Sequence, residues 1–318
     1  MKHLELASGA RMPAFGLGTW NSAPGEVGAA VRTALELGYR HIDCAAVYGN
    51  EAEVGDAFAR AFADGVVARE DVWITSKLWC NAHRESEVGP ALERTLADLR
   101  CEYLDLYLVH WPVALRADAS PPAGPGDYLS LEEVPLEETW TGMRGVKARG
   151  LCRHIGVSNY SSKKLRSHAA FDDPPEIDQV EMHPYLRQDR LAGAASEHGV
   201  RLMAYSPLGS GARPATLQRS GDPVLLEDPT VRAIAAELSA TPAQVLIAWA
   251  LERGTCAIPK STNPGRIAEN LGGASLELDA ASMARLDALD RGLRYVHGAF
   301  WAKEGSPYTV ETLWDGDV

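Results

Sequence analysis

Four ionisable side chains lie at or just beyond the ends of short apolar runs, and their types suit proton transfer. They are Asp43, Tyr48, Lys77 and His110. A tyrosine hydroxyl has a pKa of about 10 in water, so it donates a proton poorly near neutrality unless its phenolate is stabilised. A lysine ammonium about 4 Å away is worth roughly 4 kcal/mol at an effective dielectric of about 20, or up to about three pKa units. We therefore expect Lys77 to lower the pKa of Tyr48, the candidate proton donor.

Asp43 and His110 have chemical roles that suit the same site. Asp43 can keep Lys77 charged and oriented, because a buried ammonium needs a partner. A neutral His110 can donate a hydrogen bond to a substrate carbonyl oxygen. Each residue type also has an ordinary structural use, in a satisfied hydrogen bond or an ion pair. Their joint placement after successive strands favours a shared site, and hence an enzyme.

The elements that must position these residues are short apolar runs alternating with longer segments of helical period. The predicted strands are residues 15–17, 41–43, 72–77, 104–109, 154–157, 177–181, 201–205 and 255–258. Most lack alternation, as strands covered on both faces do. Eight strand–helix units favour a (β/α)8 barrel, with its active site at the carboxyl ends of the strands. An open doubly wound sheet is less favoured, because the run Gly16-Leu17-Gly18-Thr19-Trp20 matches the dinucleotide glycine fingerprint only in part.

The rest of the chain fits one domain over residues 1–318. We expect a hairpin over 1–13, the barrel over 14–292 and a C-terminal tail over 293–318. The two longest irregular stretches, 114–136 and 209–227, follow strands on the predicted active rim. Long loops in such places tend to cover a ligand.

Composition excludes several functions. Acidic residues outnumber basic ones by 43 to 31, giving a net charge of -12, and no basic run suggests nucleic acid or an anionic membrane as a partner. Residues 1–11 lack the apolar core of a signal peptide, and no stretch reaches the roughly 20 apolar residues of a membrane span. The five cysteines are scattered without metal-ligand spacing. We expect a cytoplasmic monomer without a metal.

Several longer motifs resemble those of the aldo-keto reductases. They are Gly38-Tyr39-Arg40-His41-Ile42-Asp43, Tyr48-Gly49-Asn50-Glu51, Thr75-Ser76-Lys77-Leu78-Trp79, the run 104–112 that ends in His110-Trp111-Pro112, Gly156-Val157-Ser158-Asn159, and Ile258-Pro259-Lys260-Ser261. The resemblance spans essentially the whole chain. It implies a (β/α)8 barrel that reduces aldehydes or ketones with a nicotinamide cofactor, Tyr48 being the general acid, Lys77 and Asp43 tuning it, and His110 orienting the carbonyl.

The cofactor site is predicted from residues at the ends of later strands. Ser158, Asn159 and Gln179 offer donors and acceptors for a carboxamide, although Ser-Asn after a strand could also be an ordinary turn. Tyr205 offers a ring face for a nicotinamide. The loop 206–210 could hold a pyrophosphate. The full predicted set is Gly18, Thr19, Trp20, Asp43, Ser158, Asn159, Gln179, Tyr205, Ser206, Leu208, Ser210, Lys260, Ser261, Thr262, Arg266, Glu269 and Asn270.

A second part of that site is an anion-binding helix start. Lys260 and Arg266 flank a predicted helix N-terminus, where free amide groups favour an anion. With the resemblance, Lys260, Ser261 and Arg266 should bind the 2'-phosphate of NADP, and Glu269 and Asn270 should contact the adenine. We therefore expect NADPH to be preferred over NADH.

The substrate pocket is expected to be aromatic. Its predicted residues are Trp20, Val47, Tyr48, Trp79, His110, Trp111, Phe300 and Trp301. The tail resembles endings of plant, fungal and algal members of the family. Cys44, Tyr160 and Asp178 stand where Thr, Phe and Asn are commoner in the family, and each is expected to adjust packing or the carboxamide pocket.

The predicted function is NADPH-dependent reduction of aldehydes and ketones, sugar-type aldehydes included. Two alternatives stay open. The barrel could be a nicotinamide-binding regulatory subunit with little turnover, or a lyase or aldolase in which Lys77 forms a Schiff base.

Overall fold

The N-terminal segment is an antiparallel hairpin. The computed structural model describes residues 2–317, in which the strand His3–Glu5 pairs with Arg11–Pro13. Gly9 lies at the turn with φ of +83°, a conformation that glycine adopts without steric cost. Leu6 and Met12 pack in one apolar cluster with side chains of the central sheet. The predicted hairpin is confirmed.

The central sheet has eight parallel strands in chain order. They are β1 (Leu17–Gly18), β2 (His41–Asp43), β3 (Trp73–Leu78), β4 (Leu104–Val109), β5 (Cys152–Ser158), β6 (Ile177–Glu181), β7 (Arg201–Tyr205) and β8 (Cys256–Ala257). The sheet curls until its two ends meet: Gly16 N–H donates to the Ala257 carbonyl at 3.0 Å, and Gly18 N–H to the Pro259 carbonyl at 3.1 Å. This arrangement is consistent with the predicted (β/α)8 barrel.

Helices cover the outer face of the sheet. They are α1 (Val27–Leu37), α2 (Glu51–Ala63), α3 (Glu85–Leu99), α4 (Leu136–Ala148), α5 (Ser162–Ala169), α6 (Asp189–Glu197), α7 (Pro229–Glu237), α8 (Pro242–Glu252), α9 (Pro264–Gly273), α10 (Ala280–Asp287) and α11 (Val310–Trp314). The apolar sides of α1 to α10 join the strands in one large buried cluster. Helix α11 instead packs in a second cluster with Trp111, Trp301 and Tyr308. Both faces of the sheet are therefore buried, which explains why the strands read as apolar runs.

Local signals set the ends of several helices. Gly38 ends α1 with φ of 100°. Thr241 begins α8 with a capping box, its hydroxyl accepting from the Gln244 N–H while the Gln244 side chain accepts from the Thr241 N–H. Asp228 and Asn263 cap α7 and α9. Each of the three caps Asp228, Thr241 and Asn263 is followed by a proline in the first turn of its helix, where proline is favoured.

No single helix within residues 2–317 has the length and apolar composition needed to cross a membrane, and α7 and α8 meet that test only as a pair bent by 91°.

The two long rim loops are more ordered than the sequence suggested. Within 114–136, Ala114–Leu115 and Tyr128–Leu129 form a short antiparallel ribbon. The Tyr308 hydroxyl, from the tail, accepts from the Ala114 N–H at 2.9 Å and donates to the Leu129 carbonyl at 2.6 Å. The loop 209–227 contains two short 3-10 turns, Ala215–Leu217 and Leu225–Glu227. The ribbon depends on a residue nearly two hundred positions away, so no local pattern announces it.

Candidate active site

A cavity of about 950 Å³ lies at the carboxyl ends of the strands. One end is lined by Tyr48, His110 and aromatic side chains, and the other by the start of α9. Of the predicted site residues, the cavity is lined by Gly18, Trp20, Asp43, Val47, Tyr48, Trp79, His110, Trp111, Ser158, Asn159, Gln179, Tyr205, Ser206, Leu208, Ser210, Lys260, Ser261, Thr262, Arg266, Glu269, Asn270 and Phe300. The structure thus brings residues from distant parts of the sequence to one cavity.

The ammonium of Lys77 is completely buried behind the cavity wall. Its Nζ donates to Asp43 Oδ2 at 2.7 Å, to the Cys44 carbonyl at 2.8 Å and to the Tyr48 hydroxyl at 3.2 Å. Strand pairing explains why Lys77 and Asp43 lie in contact. Asp43 at the end of β2 lies opposite Thr75 of β3, and Lys77 follows Thr75 by two residues. An ammonium has three N–H donors, so all of them have acceptors here.

Burial and neighbouring charge have opposite effects on the pKa of Lys77, and they also have opposite effects on the pKa of Tyr48. Burial alone would lower the pKa of Lys77, but attraction to Asp43 and Tyr48 outweighs it, so the pKa is raised and the ammonium stays charged. Burial raises the pKa of Tyr48 to about 12, although Lys77 opposes this rise. The net direction for Tyr48 is opposite to that expected from the sequence, because desolvation of the phenolate outweighs the nearby ammonium.

His110 lies beside Tyr48 as a neutral imidazole. The two rings meet edge to face with their centroids 5.9 Å apart. The Trp79 ring also meets the imidazole edge to face, with a centroid distance of 5.1 Å. Burial, and then the charge of Lys77, hold the pKa of His110 well below its usual value. Asn159 Nδ2 donates to the His110 carbonyl at 2.9 Å, which fixes the backbone there. A neutral imidazole keeps one N–H to donate, as the predicted role requires.

The polar groups expected to hold a carboxamide form a connected network. Gln179 Nε2 donates to Asp43 Oδ1 at 2.7 Å, and Ser158 Oγ donates to the Gln179 carbonyl at 2.8 Å. The Tyr205 hydroxyl donates to Asn159 Oδ1 at 2.7 Å. These bonds, with that from Asn159 Nδ2 to Ser158 Oγ, join the ends of β5, β6 and β7 to the Asp43 carboxylate. The same carboxylate pairs with Lys77, which contacts Tyr48, so the network also helps to fix the Tyr48 hydroxyl.

The opposite end of the cavity is cationic. Asn263 caps α9 by accepting from the Arg266 N–H at 3.0 Å. The Arg266 side chain is exposed and has no hydrogen bond or ion pair within the described chain. Lys260 Nζ donates to the Asn21 carbonyl at 2.8 Å, and the Asn21 side chain donates to the Ala212 carbonyl at 2.8 Å. A helix start with two cations is suited to an anionic group.

Three predicted site residues do not line the cavity. Lys77 acts from behind the wall. Thr19 was expected to contact the cofactor, but it is buried and its hydroxyl donates to the Asp43 carbonyl at 2.8 Å. Trp301 was expected in the substrate pocket, but it is 2% exposed and supports Trp79 from behind with ring centroids 5.6 Å apart. In this structure, both side chains therefore lie behind residues that line the cavity.

Other lining residues were not predicted. Asn21, Arg213, Val296 and the start of α8 at 241–243 all face the cavity. Arg213 forms an ion pair with Asp222 and lies over the Tyr295 ring, 4.6 Å from its centroid. The loop around Arg213 has no helical or strand period, so no sequence signal marked it.

The three departures from the family pattern all lie outside the cavity lining. Cys44 and Asp178 are completely buried, and Tyr160 is 1% exposed. Burial raises the pKa of the Cys44 thiol and of the Asp178 carboxyl well above their usual values. Both groups therefore ionise less readily than they would in water, which makes the Cys44 thiol less reactive.

Fold and site agree on the class of protein. The Aldo/keto reductase family model matches residues 13–291, and the chain belongs to this family. The resemblance predicted from the motifs is thereby confirmed. The family assignment makes the protein an oxidoreductase and supports carbonyl reduction.

Individual relatives extend the likeness over nearly the whole chain. Aldo/keto reductase slr0942 of Synechocystis sp. is 52% identical over 316 residues, which cover 99% of this chain and 97% of that protein. Aldo-keto reductase family 1 member A1 of Sus scrofa is 42% identical, with 92% of this chain and 90% of that protein covered. The aldose reductase structure from Schistosoma japonicum has a TM-score of 0.87 at 38% identity, covering 97% and 99% of the two chains.

The buried ion pair generates a stability prediction. Asp43→Asn should lower the free energy of unfolding by about 3 kcal/mol or more, because Lys77 keeps its charge without a full partner. The double variant Asp43→Asn with Lys77→Met should cost less than the sum of the two single changes by about 1 kcal/mol or more. Urea unfolding of the four proteins measures this coupling. Additive losses would contradict the ion pair as described.

Proposed function

We propose that this protein is an NADPH-dependent carbonyl reductase that converts aldehydes and ketones to alcohols on a single (β/α)8 barrel domain. The observation that carries the proposal is the Tyr48 hydroxyl, which lines the cavity 3.2 Å from the buried Lys77 ammonium. A phenol in this position can give a proton to a substrate and leave its negative charge beside a fixed cation.

Bound NADPH would supply the hydride to the carbonyl carbon. His110 would donate a hydrogen bond to the carbonyl oxygen and hold it beside the phenol. With a pKa raised to about 12, Tyr48 is protonated at neutral pH and ready to donate. An alkoxide is a stronger base than a phenolate, so proton transfer from Tyr48 is downhill once charge develops on the oxygen. Lys77 would then stabilise the phenolate.

The cavity suits a dinucleotide phosphate. Its volume of about 950 Å³ is at the upper end of the range of about 300–1,000 Å³ usual for ligand pockets. Ser158, Asn159 and Gln179 would hold the carboxamide, and the Tyr205 ring would face the nicotinamide. Lys260 and Arg266, with the α9 amide groups, would hold the 2'-phosphate. Glu269 and Asn270 line the same end and would contact the adenine.

The Schiff-base alternative has little support from the geometry. A Schiff base needs an accessible, neutral amine. Lys77 is completely buried, does not line the cavity, and has a pKa raised by Asp43. Its amine is thus neither accessible nor neutral. The regulatory alternative is disfavoured because all four proton-transfer residues are present and assembled.

The substrate end of the cavity favours uncharged carbonyl compounds. It is lined by Trp20, Val47, Trp79, Trp111 and Phe300. Of the lysines and arginines that line the described cavity, Arg213 is already paired with Asp222, and Lys260 and Arg266 belong to the segment that begins α9. A substrate carboxylate would therefore lose its hydration without gaining a cation as partner.

The first prediction concerns Tyr48. Tyr48→Phe should lower kcat for NADPH-dependent reduction of 4-nitrobenzaldehyde by about 10²–10⁴-fold, because it removes the acid and keeps the ring. Tyr160→Phe is the control: Tyr160 is buried outside the cavity lining and its hydroxyl has no partner within residues 2–317. The control should keep full activity. Both are compared by steady-state kinetics and by NADPH binding. Wild-type protein that binds NADPH without turnover would favour the regulatory alternative.

A second prediction concerns cofactor choice. Arg266→Ala should reduce the ratio of kcat/KM for NADPH to that for NADH by about tenfold or more, since one charge-assisted contact to the 2'-phosphate is lost. Arg285→Ala removes an arginine whose side chain is 40% exposed and which pairs with Glu237 outside the cavity lining. It should leave the ratio unchanged. Equal ratios for wild type and Arg266→Ala would count against the assignment.

A third prediction concerns substrate charge. The protein should reduce 4-nitrobenzaldehyde with a kcat/KM about tenfold or more above that for 4-carboxybenzaldehyde, which has the same shape and a negative charge. The two aldehydes are compared at a fixed saturating NADPH concentration. A preference for the carboxylate would show that a cation reaches the substrate, contrary to the lining described here.

A further inference from the structure

A second buried lysine, Lys164 on α5, lies outside the cavity and contacts the tail. Its side chain is 9% exposed. Its Nζ donates to the carbonyls of Thr312 at 2.6 Å and Leu313 at 3.0 Å, and to Asp315 Oδ2 at 2.5 Å. All three donors of the ammonium therefore end on one turn of the tail.

The turn that Lys164 contacts is unstable by itself. Helix α11 has five residues, far below the roughly 12–15 at which an isolated helix becomes even marginal in water. Its last carbonyls have no partner within the helix, and a cation at a helix C-terminus satisfies such carbonyls and favours the dipole. Lys164 does both for α11.

Two serines at the start of α5 complete the attachment. Ser161 Oγ donates to Asp315 Oδ2 at 2.6 Å. The Ser162 hydroxyl donates to Asp317 Oδ1 at 3.0 Å, and the Ser162 N–H donates to the other oxygen of the same carboxylate. The segment 315–317 is therefore held on the first turn of α5 by several charge-assisted bonds, which we call the tail clamp.

The tail clamp fixes Trp314, and Trp314 supports the substrate end of the cavity. The Trp314 ring lies 5.8 Å from the Trp111 ring, and its indole N–H donates to the His297 carbonyl at 2.9 Å. Phe300 follows His297 by three residues and meets Trp111 edge to face at 5.4 Å. Trp111 and Phe300 both line the cavity. A chain of contacts thus runs from the clamp to the cavity wall.

Other contacts hold the tail on either side of Phe300, and next to it Trp301 packs against Trp79 and Trp111. Glu181 accepts from the N–H groups of Tyr295 at 2.6 Å and Val296 at 2.7 Å, which fixes the start of the tail. Tyr308 fixes the tail to the rim ribbon beyond that segment. Between them the chain carries Gly298 and Gly305 at positive φ and no helix or strand. Trp314 and Trp301 therefore both pack against the Trp111 ring that Phe300 contacts, and of the two only Trp314 lies on the helix that Lys164 holds.

We propose that Lys164 is a positioning residue for substrate selectivity, acting through α11 and Trp314 on the wall formed by Trp111 and Phe300. The proposal rests on the proposed carbonyl reduction and adds a residue that touches neither substrate nor cofactor. Loss of the ammonium frees α11, and Trp314 then no longer holds the wall. Large aromatic substrates, which reach that wall, lose affinity, whereas small aldehydes react as before.

The test compares Lys164→Met with Lys163→Met. Lys163 is the adjacent lysine and lies 3.5 Å from the same Asp315, but its side chain is 78% exposed. Lys164→Met should raise KM for 4-nitrobenzaldehyde by about fivefold or more, because misplaced contact residues weaken binding. KM for glyceraldehyde and the NADPH dissociation constant should stay within about twofold, and Lys163→Met should change none of them, since exposed ion pairs contribute little.

The possible outcomes separate this inference from the proposed function. If wild type reduces both aldehydes and Lys164→Met keeps the wild-type ratio of their KM values, the positioning role is wrong while the reductase stands. If wild type does not reduce aldehydes, both fail. Equal losses for both aldehydes and for NADPH binding would indicate a general structural role and would also overturn the inference. Should Lys164→Met not fold, Asp315→Asn removes the charge partner instead and should shift the same KM ratio in the same direction.

Discussion

The buried ammonium of Lys77 is the interaction on which the rest of the site depends. An ion of this size loses several kcal/mol on leaving water, and only well-placed partners offset that loss. Here the partners come from the end of β2 and from the turn that follows it. Asp43 in turn is held from two further directions, through its carbonyl by Thr19 and through its carboxylate by Gln179. The pairing of neighbouring parallel strands is therefore what makes a dry ammonium possible.

The same burial has two consequences for Tyr48. It strengthens the attraction between ammonium and phenolate, because a dry surrounding screens charge poorly. It also removes water from the phenolate, and in the structure this second effect is larger. The site therefore keeps a protonated phenol next to a permanent cation. Under the proposed function, this balance would let Tyr48 donate its proton only after charge has moved onto the substrate oxygen.

Much of this could be predicted from the sequence, because it depends on local patterns. Strand positions followed from apolar runs and helix starts from caps such as Thr241 and Asn263. The clustering of Asp43, Tyr48, Lys77 and His110 followed from their placement after strands. What could not be predicted depends on distant contacts. Trp301 reads as another rim aromatic, yet the tail folds so that it lies behind Trp79. Thr19 reads as a rim hydroxyl, yet its bond to the Asp43 carbonyl turns it inward. The net direction of the Tyr48 pKa required knowing how much water the fold removes.

The Tyr308 hydroxyl, which accepts from one strand of the rim ribbon and donates to the other, has a consequence for how the active rim can vary. One oxygen atom of the tail thus forms a hydrogen-bonded bridge between Ala114 and Leu129. A longer or shorter ribbon would displace the backbone groups that the Tyr308 hydroxyl bonds, and the tail would have to move with them. The rim ribbon and the tail, which are remote in sequence, are thus structurally coupled. Either segment should tolerate only those insertions that keep the hydrogen bonds of the Tyr308 hydroxyl.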